Sequence, residues 1–354
     1  MNRRQNYTMP PNKGQSTAKI TGALLALLAL LALAGCTAAP RTLKIGLVAP
    51  FEGLHRPLGY QALFGVKLAV QEWNARGGIN GYRIELVALN DFDDPAEAAV
   101  QAHSLLADPD VLGVVGHLSA HATAAAAPFY QQGGLALAAP WPAPPEIFAG
   151  GGVVGIAATS AQTEARLAHV IRQNAGGPAV VVSGPTLPVF NPPPLALHLT
   201  GDGVNAGQTL LALASQNINA PRFAGVDAGS PQVVQVAHQA ANGLVVVSPG
   251  PAPADIDAAA FSATYQALAG FPPGPRAVLA YDAAHVLLKA IETAMLTHNA
   301  PPARTAVSAA IAGVQHHGLT GPISFDAQGQ RLNPPVWVYR IGDEQYPGQL
   351  LAAP

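Results

Sequence analysis

The chain has one cysteine, Cys36, in 354 residues, so no internal disulfide can staple its fold. Charge is also scarce. Asp, Glu, Lys and Arg together make 11% of the chain, against roughly 25% in ordinary soluble proteins. The formal net charge of −2 leaves no basic surface for nucleic acid. The catalytic signatures are missing as well. There is no Gly-x-Ser-x-Gly elbow, no Walker loop and no Rossmann fingerprint with its acidic partner. His117 and His121 stand four apart, but without the intervening glutamate of a zincin or a third ligand. Asn90-Asp-Phe-Asp-Asp94 is acidic, yet lacks the glycine and closing glutamate of an EF-hand. No cofactor, no metal and no enzymatic activity are therefore assigned. With 49% hydrophobic residues, a large apolar core must hold the chain.

The first 35 residues read as a secretory signal. Arg3, Arg4, Lys13 and Lys19 precede an apolar run from Ile20 to Ala34, and no acid occurs before Glu52. That run is shorter than the roughly 20 residues a spanning helix needs. It ends in Leu33-Ala34-Gly35-Cys36, which looks like a bacterial lipobox, so Cys36 is the candidate acylated first residue of the mature protein. Removing four positive charges and no negative one moves the net charge from −2 to −6. The remaining 319 residues (354 less 35) suggest two domains after a short tether over 36–41.

Val111–Val115 is an unbroken apolar run, as expected of a parallel strand buried on both faces. Gly116–Ser119 turns the chain, a helix starts at Ser119 or Thr123, and Gly133-Gly134 stops it. Leu135–Ala139 follows as the next strand. Such a βαβ unit crosses over right-handed, which puts Ser119–Thr123 and Trp141–Ala143 at one crevice beyond the strand ends. Upstream, Leu43–Ala49 reads as a strand, Phe51–Gly59 as a loop, and Leu63, Val66, Val70 and Trp73 as one face of a helix. Asp94-Pro-Ala-Glu97 reads as a capping box opening the next helix. Downstream, His316-His317 reads as a helix end, where histidine complements the dipole.

Val114–Ser119, Tyr130–Gly134, Pro140–Glu146 and the Asn74–Ile79 helix stop resemble the branched-chain amino-acid binding proteins of ABC importers. So does the Tyr281-Asp-Ala helix, and the likeness runs with interruptions from Lys44 to about Asp343. It implies an α/β fold of two Rossmann-like lobes, the type I periplasmic binding architecture, joined by three hinge crossings. Residues 42–156 and 252–330 would form lobe one, and 157–251 and 331–354 lobe two. Between Gly184 and Pro194, where the family has a helix, a strand and another helix, this chain offers only a proline-rich stretch. Three consecutive prolines continue neither helix nor central strand, so lobe two reads as shortened.

The family holds its ligand with a lobe-one serine and threonine and a lobe-two glutamate. The alignment puts those positions on Ala120, Ala143 and Asp227, so both hydroxyls are absent. Ser119, His121 and Thr123 are candidate substitutes, Trp141 a candidate wall or stacking surface, and Asp202 either a ligand contact or a turn residue. Two carboxylates at strand ends would favour an ammonium-bearing ligand. The resemblance implies a monomeric, lipid-anchored, extracytoplasmic protein that passes a small ligand to ABC permease subunits. A lipid-anchored sensor and a degenerate scaffold of the same fold stay open beside it.

Overall fold

The computed structural model describes residues 41–296 and 300–354, with isolated positions 1, 6 and 8. The readings of a signal segment, of lipidation at Cys36 and of the tether fall on residues outside that set, Arg41 and those three positions apart. Thr42–Pro354 forms a single unit by its internal contacts.

Thr42–Ala49 (β1), Arg83–Asn90 (β2), Val111–Val115 (β3), Ala136–Ala139 (β4) and Val153–Gly155 (β5) make the first sheet. All pairs are parallel, in the order β2-β1-β3-β4-β5. The composition of β3 follows from its place: Leu112 and Val115 face one core and Val111 and Val114 the other. An irregularity in the pairing with β1 between Val111 and Val114 shifts the alternation by one residue, and because both faces are apolar the run is unbroken all the same. On β1, Gly46 leaves room for Leu105, whose Cδ1 would lie 2.6 Å from a Cβ there and would have to shift.

Arg56–Ala75 (α1) covers the first of these faces, with Pro95–Ala107 (α2) and Ala120–Gln132 (α3) on the second. Helix α1 begins at Arg56, inside the expected Phe51–Gly59 loop, because Pro57 suits a first turn whose N–H groups have no intrahelical partner. At α2, only the Asp94 half of the expected capping box forms: its Oδ1 accepts from Ala96 N at 2.8 Å and Glu97 N at 3.0 Å. A closed box appears instead between Thr159 and Gln162.

Ser160–Asn174 (α4) opens the second lobe. Val180–Val182 (β6), Leu197–Leu199 (β7), Gly203–Ser215 (α5), Arg222–Ala224 (β8), Pro231–Ala237 (α6) and Val245–Ser248 (β9) follow. Residues 183–196 join β6 to β7 with no helix or strand. The chain then returns to lobe one through Ala259–Ala269 (α7), Pro275–Met295 (α8) and Arg304–Ile311 (α9). Trp337–Gly342 (β12) and Gln345–Ala352 (β13), after a hairpin of His316–Gly318 (β10) and Gly321–Ile323 (β11), complete the second sheet. Its order is β13-β12-β9-β8-β7-β6, parallel from β6 to β9 with an antiparallel edge. The chain thus crosses between lobes three times: after β5, after β9 and before β12.

His316 and His317 are not a helix end. Helix α9 stops at Ile311, and the pair lies on β10, opposite Ile323 and Pro322 of β11. The ring of His316 stacks on that of His285 on α8, 5.4 Å between centroids. Burial, with lesser contributions from its neighbours His285 and Lys289, lowers its pKa to about 4.

The core of each lobe is apolar side chains almost alone. Ile45, Leu47, Leu135, Leu137, Leu197 and Leu210 have no exposed surface, and each such side chain contributes about 1.5–3 kcal/mol relative to exposure. A chain poor in charge and without a disulfide is held this way.

Candidate functional site

The carboxyl ends of β1, β3, β7 and β8 converge on the space between the lobes, the expected place for a ligand in open α/β sheets. Two adjoining cavities of ≈ 340 Å³ and ≈ 300 Å³ lie there and share Gly201 and Asp227. Ala120, Pro142, Ser160, Thr163 and Glu164 help line the larger. His55, Asp93, Ser119, His121, Asp202 and Arg276 help line the smaller.

The turn after β3 brings Ser119 to this cleft. Gly116 has φ +151°, and a Cβ there would lie 2.7 Å from Val48 O, so the turn requires glycine. Ser119 then caps α3, its Oγ accepting from Ala122 N at 3.4 Å. The same Oγ lies 3.2 Å from His121 Nε2. His121 also meets Asp93, with Nε2 3.2 Å from Oδ1 and 2.9 Å from the carbonyl oxygen. His55 Nε2 stands 3.7 Å from the other carboxylate oxygen.

The Asp93 side-chain bond, acting against partial burial and with help from the Asp93 carbonyl and the Asp93 and Asp227 charges, raises the His121 pKa to about 9. Burial pushes Asp93 up, but the bonds from His121 and Ser119 and the charges of His121 and His55 outweigh it, so its pKa ends below the usual value. His121 is therefore an imidazolium at neutral pH. A folded-state pKa above the ordinary 6.5 gives stability that is fully present below about pH 6.5 and lost as pH rises through about 9. The melting temperature should accordingly fall across that window in the wild type and stay flatter in His121→Gln. Parallel curves for the two proteins would show that the pair is solvated away.

His117, four residues before, goes elsewhere. Its Nδ1 lies 2.7 Å from Asp91 Oδ2 and its Nε2 3.2 Å from the Tyr130 hydroxyl, all inside lobe one. Thr123 is fully buried, its hydroxyl donating to Ser119 O at 2.7 Å, and lines neither cavity. Ala143 is also buried, its carbonyl accepting from Ser160 N at 3.2 Å. Ala120 lines the larger cavity and offers it only a methyl group.

From the second lobe, Asp202 caps α5, its Oδ1 accepting from Asn205 N at 2.8 Å, while it also lines the smaller cavity. Asp227 sits in the turn after β8. It is open to solvent, yet walled by protein from both lobes, and that enclosure pushes its pKa up against the charges of Arg276 and His121. Trp141 lines neither cavity. It lies buried beneath Arg276, whose guanidinium carbon is 3.7 Å from the indole centroid. The indole N–H makes no hydrogen bond among the described residues.

Sequence reasoning missed Asp93, His55 and Arg276. Asp93 was hidden in an acidic run with a sufficient capping explanation, and nothing local marks His55. Arg276 did leave a trace: it is the one charged residue in the opening stretch Pro275–Tyr281 of its helix. Among the described residues, no group of three or more His, Cys, Asp or Glu side chains could hold a metal ion. None of their helices is long and apolar enough to cross a membrane.

The periplasmic binding protein family model matches residues 42–191 and 194–345. An amino acid binding protein of Pseudomonas aeruginosa is 32% identical over 103 residues, 29% of this chain and 28% of that protein. The Leu/Ile/Val-binding protein of Escherichia coli (strain K12) is 31% identical over 126 residues, 34% of each. The chain thus aligns with about a third of the length of these curated relatives. Among solved structures, a leucine binding protein from Thermotoga maritima superposes with TM-score 0.76 at 20% identity, covering 88% of this chain and 98% of that one. A solute binding protein of an ABC transporter from R. palustris, in complex with benzoate, gives TM-score 0.72 at 19% identity, covering 88% and 96%. These likenesses carry the fold. Two parallel-sheet lobes, three crossings, a cleft at the strand ends and a family match over both lobes lead to one conclusion: the chain belongs to the periplasmic binding protein family, with the type I fold.

Proposed function

We propose that this protein is a lipid-anchored, extracytoplasmic solute-binding protein that delivers a small polar or amino-acid-like ligand to an ABC importer. The observation that carries this reading is the cleft itself. Ser119 and His121 from one lobe and Asp227 from the other line one cavity, so contacts to both can be made at once only by a ligand held between them. The names of the relatives, amino-acid binders among them, support it. Cys36, placed after an apolar run in a lipobox-like sequence, supports anchoring. Replacing Cys36 by alanine should leave a soluble or uncleaved precursor, read by detergent-phase partitioning; partitioning equal to wild type counts against the anchor.

The ligand should not be an aliphatic amino acid. The smaller cavity is lined by His55, Asp93, His121 and Arg276 rather than by apolar side chains alone, so an aliphatic side chain would leave polar groups of the cleft without a partner. A buried polar group that loses its partner costs about 1–3 kcal/mol. Calorimetry with leucine, isoleucine and valine should show binding far weaker than micromolar. Micromolar leucine binding would overturn this expectation. A thermal-shift screen of small solutes on the full-length chain in detergent tests the function as a whole, with stabilisation by at least one solute expected.

A further inference from the structure

Arg276 is the one charged side chain of the cleft whose burial nothing in the protein explains. It is 5% exposed and lines the smaller cavity, yet among the described residues it makes no hydrogen bond and no ion pair. Tyr346, Asp227 and Asp93 act on it only at longer range. It also sits in the first turn of α8, where the helix dipole disfavours a cation. The stack on Trp141 offsets part of these costs and fixes the plane of the guanidinium. A cation–π contact does not compensate a desolvated charge set against a dipole, whereas an anion arriving from the cleft does.

We propose that Arg276, seated on Trp141, is the ligand's carboxylate anchor, doing from α8 what Ala120 and Ala143 cannot. The ligand class is then a small carboxylate bound with its acid group on Arg276, in the smaller cavity. The rest of it extends along Asp227, which both cavities share and which suits an ammonium or hydroxyl donor. His121 does not compete for the role, because Asp93 already holds its charge. The planar fork of the guanidinium matches a carboxylate with two parallel N–H donors, a geometry that lysine does not reproduce. This assignment rests on the solute-binding reading above and is separable from it.

The test uses the full-length chain in detergent and calorimetry with the standard amino acids, two- to six-carbon carboxylates and benzoates, each beside its primary amide. The expected result is that at least one acid binds the wild type while its amide binds roughly ten- to a hundredfold more weakly. Arg276→Gln should lose a similar factor for the acid and none for the amide, with Arg276→Lys in between. The acid–amide comparison on the wild type needs no variant, so it decides the matter even if Arg276→Gln fails to fold. Equal affinity for acid and amide, binding of amides alone, or an acid that binds a folded Arg276→Gln as it binds wild type would each overturn the anchor and leave solute binding intact. Silence from every acid and amide would overturn both.

Discussion

Replacing Arg331 by methionine is expected to lower the free energy of unfolding by about 3–5 kcal/mol, the range for a broken buried charge network. Arg331 is 4% exposed. Its Nη1 donates to Ile156 O at 3.0 Å and to Thr320 Oγ1 at 2.9 Å. Its Nη2 donates to Thr320 O at 2.9 Å and to Pro322 O at 2.8 Å. Thr320 in turn donates its hydroxyl to Asp282 Oδ2 at 2.6 Å, and Asp282 also accepts from Leu319 N and Thr320 N. Methionine fills most of the volume, leaves three carbonyls without this donor, and leaves the Asp282 carboxylate buried beside no cation. Burial already pushes Asp282 up and Arg331 down to about 10, each partly countered by the other's charge. The location adds a second consequence. Ile156 lies on the first crossing between lobes and Arg331 on the third, so one side chain ties two of the three hinge segments. Urea unfolding with an unchanged slope would measure the loss. A change below about 1 kcal/mol, the net value of a single ordinary hydrogen bond, would show that water replaces the network.

Asp227→Asn should weaken ligand binding by about one to two decades, the equivalent of roughly 1.5–3 kcal/mol for a charge-assisted contact. The substitution keeps shape and removes charge. Asp227 belongs to the second lobe and lines both cavities, so a contact to it is made only when that lobe comes onto a ligand resting on the first. A ligand shifts an open–closed equilibrium only through contacts that differ between the two states. Scattering should therefore show compaction on binding in wild type and much less in Asp227→Asn at equal ligand. Equal affinity and equal compaction would reduce Asp227 to a turn residue. The Asp227 and Arg276 tests read different ends of the ligand: losing the acid group should spare the Asp227 effect, and losing the amino or hydroxyl donor should spare the Arg276 effect.

The sequence determined the strands and helices wherever side-chain periodicity meets one or two apolar faces. Val111–Val115, Leu43–Ala49 and the α1 stripe of Leu63, Val66, Val70 and Trp73 were legible because burial acts on neighbours in the chain. It also determined those starts and stops set by Ser119, Asp94 and Gly133, which act on backbone groups a few residues away, though not the start of α1 at Arg56. Tertiary structure decided the rest. Thr123 looked like a cleft hydroxyl, but one helical turn past Ser119 it bonds back to that residue's carbonyl and faces the core. His316 and His317 looked like a helix end, but strand pairing with β11 outweighed the local dipole argument. Asp93, His121, Asp227 and Arg276 are far apart in sequence and meet only because parallel strands deliver their carboxyl ends to one edge and three crossings bring two such edges face to face. A residue's spacing fixes its face on its own element. Which charge it meets across a cleft depends on the packing of other elements, and no local pattern encodes that.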